Sequence, residues 1–89
     1  MRGTKGNTLV VSVEFHGVQR KLTREDQIRV PVSENATIKD VINYLRGKYP
    51  ELQLNQSGVM VSVNERILPM DHVLESNDRI TLLPPIGGG

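Results

Sequence analysis

One stretch constrains the fold more than any other: "ENATIKDVINYLRGKYPEL", residues 34–52. Ile38, Val41, Ile42 and Leu45 recur at i, i+3, i+4 and i+7, with Lys39, Asp40, Asn43 and Arg46 on the opposite side. That spacing predicts an amphipathic helix of about three turns. Thr37 suits its N-cap, and Asp40 three residues later completes a capping-box-like pair. Gly47 suits the C-terminal cap, and Pro50 blocks continuation. It is the only convincing helix in the chain. A single apolar helical stripe must be buried against something, and the rest of the sequence has to supply that surface.

The rest reads with period two. In "TLVVSVEF", Leu9, Val11, Val13 and Phe15 share one face, while Val10, Ser12 and Glu14 share the other. That alternation predicts a strand. "QIRVPV" alternates Ile28, Val30 and Val32 with Arg29 and Pro31. Proline cannot donate to a ladder, so this second strand belongs at an edge or ends there. Between the two, "HGVQRKLTREDQ" is polar and contains Gly17, and it reads as a hairpin connection with room for the start of the second strand. After the helix, Val59, Val61 and Val63 alternate with Met60 and Ser62, and "NER" turns into a short partner around Ile67 and Leu68. "PMDHVLESNDRI" is irregular, with a turn at Ser76-Asn77-Asp78, and "RITLL" is the last strand. The order β-β-α-β-β-β predicts a two-layer α+β roll: a mixed sheet of four to five strands with one main helix packed on it. A last strand in the middle of such a sheet would throw its tail clear of the fold.

Eighty-nine residues make one domain at most. Phe15, Tyr44 and Tyr49 are the only aromatics, so the core is aliphatic and largely β-branched, which leans toward sheet. There is no Cys, hence no disulfide, thiolate nucleophile or sulfur-ligated metal. Eleven Lys/Arg against ten Asp/Glu leave a net charge of +1, too balanced to argue for nucleic-acid or membrane partners. No apolar run approaches the ~20 residues of a membrane span, and "MRGTKGN" lacks the apolar stretch of a signal peptide. The expectation is a soluble, cytoplasmic protein with a flexible leader (1–7), a folded domain (8–83) and a C-terminal tail (84–89).

The tail, "PPIGGG" after Leu82-Leu83, asks for a use. A phosphate cradle needs its glycines between a strand and a helix, and no helix follows these. A linker needs a second module. The remaining reading is chemical. A free α-carboxylate, with a pKa near ~3.5, is an unreactive anion at neutral pH. Activated as an acyl-adenylate it becomes an electrophile, and it must then enter a narrow site in a partner. Gly88 and Gly89 make the slimmest possible peptide end, and Pro84 and Pro85 stiffen its base. The plain alternative is a frayed end without function. Leu82 should point inward with Ile80, leaving Thr81 and Leu83 outward. Leu83 and Ile86 then flank the prolines as an exposed apolar strip, which suggests an interface. The alternative is that Leu83 packs back on the helix layer.

From Leu9 to Gly89 the chain resembles the β-grasp, ubiquitin-like sulfur carriers, which include the small subunit of molybdopterin synthase and the thiamine sulfur carrier. "ENATIKDVINYLRGKYPEL" is similar to the family's helix, "VMVSVNERI" to its central strand and turn, and "LESNDRITLLPPIGGG" to its ending. The Pro-Pro pair resembles the molybdopterin synthase branch more than the thiamine branch. Three positions depart from the pattern. Asn64-Glu65 stands for the usual Asn-Gly, Asn77-Asp78 for the usual Gly-Asp, and Gly87 for the usual Ala or Ser. None touches the terminal chemistry.

The resemblance implies a carrier, not an enzyme by itself, with no bound cofactor. Its Gly89 carboxylate would be adenylated by an E1-like enzyme that uses ATP, converted to a thiocarboxylate by a sulfur donor, and inserted into a synthase large subunit or other sulfur acceptor, here for molybdenum cofactor synthesis. Gly88 and Gly89 would carry the chemistry, with Leu83, Pro84, Pro85, Ile86 and Gly87 touching partners. The same machinery in ubiquitin-like modifiers joins the terminal glycine to target lysines. A β-grasp interaction module with an inert tail is the third reading.

Other candidates are weaker. His16 and His72 lie far apart in sequence with no convincing ligand spacing around them. No Ser-His-Asp or Cys-His arrangement is suggested. Arg20, Lys21 and Arg24, beside Glu25 and Asp26, read first as a solvated loop and second as a docking patch to which Arg46, Lys48 and Arg79 would add. An RNA-binding reading lacks both net basic charge and exposed aromatics to stack on bases.

Overall fold

The computed structural model describes residues 8–52, 54 and 60–83. The expected leader 1–7, Val59 and the tail 84–89 lie outside the described residues. The elements run β1 (Thr8–Glu14), α1 (Val18–Thr23), β2 (Gln27–Ser33), α2 (Ile38–Lys48), a 3-10 turn (Pro50–Leu52), β3 (Met60–Val63), β4 (Arg66–Ile67) and β5 (Arg79–Leu83). The strands form one sheet in the order β2-β1-β5-β3-β4. Among the described residues only the β1–β5 pair is parallel.

The helix predicted from sequence packs on one face of this sheet. Ile38, Val41, Ile42 and Leu45 join Val11, Val13, Phe15, Val30, Val61, Val63, Ile80 and Leu82 in a single buried cluster. Taking each such side chain out of water is worth roughly 1.5–3 kcal/mol, so the helix stripe and the inward residues of the strands hold each other. The capping box at the start of α2 is complete. The Asp40 backbone N–H donates to Thr37 Oγ1 (3.4 Å), and the Thr37 N–H donates to Asp40 Oδ2 (2.9 Å). Two further N–H groups of the first turn, Ile38 and Lys39, donate to the carbonyls of His72 and Met70. The irregular stretch around residues 70–72 is thereby tied to the helix start.

β2 lies at the sheet edge, which is where Pro31 can be tolerated. Two expectations are corrected. The connection after β1 is not a plain loop, because Val18–Thr23 forms a short helix. Gly17 opens it at φ 55, Thr23 Oγ1 donates to the Gln19 carbonyl (2.9 Å), and Arg24 closes it in the left-handed region at φ 64. Gly47 is not a cap: α2 continues through it to Lys48, and Tyr49 takes the C-cap. Tyr49 is drawn in by its edge-to-face contact with Phe15, with ring centroids 5.5 Å apart.

Candidate functional site: the last strand and the face around it

β5 sits in the middle of the sheet, between parallel β1 and antiparallel β3. Ile80 and Leu82 are buried in the core, while Thr81 and Leu83 point to the other face and are half-buried. Leu83 therefore does not pack into the helix layer. The register sets Leu83 opposite Met60, and Ser62 lies between Thr81 on one side and Ile67 on the other. Met60 is 36% exposed and Ile67 59%. Leu83, Met60 and Ile67 thus make an apolar strip on the sheet face opposite α2, at the point where β5 ends. Apolar side chains gathered in this way are candidates for a contact surface. On the β1 side of the strip the face turns charged. Glu14 stands 3.9 Å from Arg79 and 3.7 Å from His16.

Both ends of β5 are fastened by side chains. At its start, the buried Asp78 carboxylate accepts from Asn64 Nδ2 (3.0 Å) and from the Glu75 N–H (2.8 Å). Asn64 Oδ1 accepts from the Arg79 N–H (3.0 Å), and the Asn64 N–H donates to the Arg79 carbonyl (2.8 Å). Asn64 does this from positive φ (51°), with Glu65 beside it at 73°. These two residues are the two-residue connection between β3 and β4, and positive φ at both central positions suits the twist of such a hairpin. Asn77 also adopts positive φ (70°), and its N–H reaches the Val10 carbonyl (2.9 Å), tying the preceding turn to β1. Both turn departures noted in the sequence are therefore accommodated. At the far end of β5, Gln19 Nε2 donates to the Leu82 carbonyl (3.0 Å).

Of the residues expected to act, Leu83 is in place on the open face. Pro84, Pro85, Ile86, Gly87, Gly88 and Gly89 lie outside the described residues. His16 is exposed beside Glu14, while half-buried His72 donates its backbone N–H to the Pro69 carbonyl. The basic residues Arg20 and Lys21 belong to α1, and Arg20 stands 3.6 Å from Asp26 across exposed side chains, a weak pairing in water. Sequence reading missed Met60, Ile67 and Gln19. Period two places Met60 opposite Val61 and Val63, so its exposure was legible, but its pairing with Leu83 needed the register. Gln19 carried no signal, because its role depends on a helix inside what reads as a loop.

The model of the ThiS family matches residues 13–89. The molybdopterin synthase sulfur carrier subunit of Mycobacterium tuberculosis is 29% identical over 80 residues, covering 89% of this chain and 96% of that protein. Among solved structures, the Haloferax volcanii HVO 2177 protein superposes with a TM-score of 0.80 at 22% identity, over 100% of this chain and 94% of that one. The small archaeal modifier protein 1 of the same organism gives 0.77 at 19% identity, over 88% and 99%. At these identities the two structures speak to fold, and the fold they share with this chain is the ubiquitin-like β-grasp.

Proposed function

The chain belongs to the ThiS family, and on that premise we propose that it is a sulfur carrier of the molybdopterin synthase type, working through the carboxylate of Gly89. The cycle has three steps. The Gly89 carboxylate attacks the α-phosphate of ATP in an E1-like enzyme, releasing pyrophosphate and leaving an acyl-adenylate. Hydrosulfide released by a sulfur donor then attacks the acyl carbon and displaces AMP, leaving a thiocarboxylate. The tail next enters a synthase subunit, where the sulfur bonds to the acceptor and water takes the acyl carbon, so that Gly89 leaves as the free carboxylate. Catalytic groups for these steps belong to the partners. This chain supplies the carboxylate, a slim Gly-Gly end and a surface by which the partners hold it.

One observation carries the reading: β5 ends in the centre of the sheet, beside the apolar strip of Leu83, Met60 and Ile67. A partner that docks on this strip is seated next to the point from which residues 84–89 depart, and the family match runs through those residues to Gly89. The 29% identity to a sulfur carrier subunit along nearly its whole length supports the same branch.

A second reading joins Gly89 to lysines of target proteins. It shares the adenylation step and differs only in the acceptor, and the fold shared with an archaeal modifier is compatible with it. The test of the common step is ATP–pyrophosphate exchange catalysed by an E1-like adenylating enzyme in the presence of this protein. Wild-type chain is expected to support exchange, and deletion of Gly89 to abolish it with the thermal transition unchanged, since no core residue is touched. Exchange that survives the deletion would refute the role of Gly89, and loss of the fold in that variant would refute a tail independent of the domain.

A further inference from the structure

The parallel pairing of β1 with β5 stops short on the β1 side. Its register is Ser12↔Arg79, Val13↔Ile80 and Glu14↔Thr81. At its start the Ser12 N–H donates to the Asp78 carbonyl (2.9 Å). A parallel ladder repeats this relation every two residues. Four residues on, the repeat would set the N–H of residue 16 against the Leu82 carbonyl. The chain does not make that bond, because it turns away at Gly17 to begin α1. Instead the His16 N–H donates to Gln19 Oε1 (3.2 Å), and Gln19 Nε2 donates to the Leu82 carbonyl (3.0 Å). The carboxamide stands between the two groups as an inserted rung, its donor and acceptor ends fixed by what each partner requires.

We propose that Gln19 is a positioning residue for the C-terminal segment: its side chain replaces the missing β1 neighbour at the end of β5 and so fixes the direction in which the chain leaves the sheet at Leu83. On the opposite side, Leu83 is still paired with Met60 of β3. Without Gln19 the Leu82 carbonyl would have no donor on the β1 side, and Leu83 would be held from the β3 side alone. The consequence for activity rests on the carrier reading given above. A tail whose base is already oriented loses less freedom on entering a partner's site.

Two variants separate this role from simple support of α1. Gln19→Met keeps length and helix propensity but removes both bonds. Gln19→Glu keeps the acceptor for the His16 N–H and removes the donor to Leu82. If Gln19 only braces the start of α1, Gln19→Glu behaves like wild type. If it positions the chain end, both variants fail alike. The first readout is NMR on the isolated protein. Both variants should move the Leu82 carbonyl carbon to the shift of a carbonyl without an amide donor and lower the order parameter of the Leu83 amide. The second is the pyrophosphate-exchange assay, where both should raise the KM for the carrier about three- to tenfold, the size expected for one hydrogen bond, with kcat within about twofold. Wild-type shifts and order at Leu82–Leu83 in Gln19→Glu would overturn the proposal, as would an unchanged KM in both variants. If the wild-type chain supports no exchange, the carrier reading fails, and the NMR result alone decides whether Gln19 fixes the chain end.

Discussion

The turn between β3 and β4 makes two neighbouring residues respond to the same substitution with opposite sign. Asn64 and Glu65 both adopt positive φ, 51° and 73°. For a residue with a Cβ, the left-handed region costs roughly 1–2 kcal/mol, and glycine escapes this at the expense of about 0.5–1 kcal/mol of extra freedom in the unfolded chain. Glu65 is exposed, so Glu65→Gly removes the strain and little else. The expected net gain is about 0.5–1 kcal/mol, which for a domain of this size raises Tm by roughly 2–8 °C. Asn64 offers less relief, because asparagine tolerates this region, and its side chain is occupied. Nδ2 donates to the buried Asp78 carboxylate, and Oδ1 accepts from the Arg79 N–H. A bond to a charged group is worth about 1.5–3 kcal/mol and a neutral one about 0.5–1.5. Asn64→Gly should therefore lose about 1–3 kcal/mol net, lowering Tm by at least ~4 °C. Calorimetry or thermal circular dichroism on the two single variants and the wild type suffices. Two shifts of the same sign would refute the assignment of Asn64 as the link between this turn and β5. A Glu65→Gly protein no more stable than wild type would refute the strain at residue 65.

Three further outcomes are expected. Asp78→Ala leaves the Glu75 N–H and Asn64 Nδ2 without their acceptor in a part-buried place, and should lower the unfolding free energy by about 2–4 kcal/mol in a urea titration. Thr37→Ala removes one half of the capping box and should cost about 1 kcal/mol in the same titration, without loss of pyrophosphate exchange. Ile67→Asp and Met60→Asp place a charge in the exposed strip beside Leu83, and should reduce kcat/KM in the exchange assay by at least about tenfold while Tm stays within roughly 3 °C. Activity that holds in both would remove the strip from the docking surface.

Much of this fold could be read from residues alone because its signals are periodic. Ile38, Val41, Ile42 and Leu45 mark a helix by spacing, and all four are buried. Val11, Val13, Phe15, Ile80 and Leu82 mark inward strand positions by alternation, and all five are buried. Pro31 left β2 either an edge place or an early end, and the sheet shows the edge. Where the reading failed, the cause was tertiary. "VQRKLT" is too short to show a helical stripe, and isolated helices of that length are not stable. It is held by the turn at Gly17, the Thr23 hydroxyl and the Gln19 contacts with His16 and Leu82. Gly47 looked like a cap because glycine favours that place, yet the helix runs past it until Tyr49 is captured by Phe15. The candidate site divides in the same way. Leu83 was placed on the outward face by alternation, whereas Met60 and Ile67 joined it only through strand register, and Asn64 gained its importance from a partner 14 residues away in sequence.

The central claim concerns one functional group, and its most direct test is the intact mass of the protein taken from its native cells, with fragmentation to locate any change. A carrier should show a population heavier by a single oxygen-to-sulfur exchange, placed at Gly89. Covalent adducts to other proteins through Gly89, with no thiocarboxylate, would contradict the carrier and favour the modifier. A single unmodified mass would contradict both.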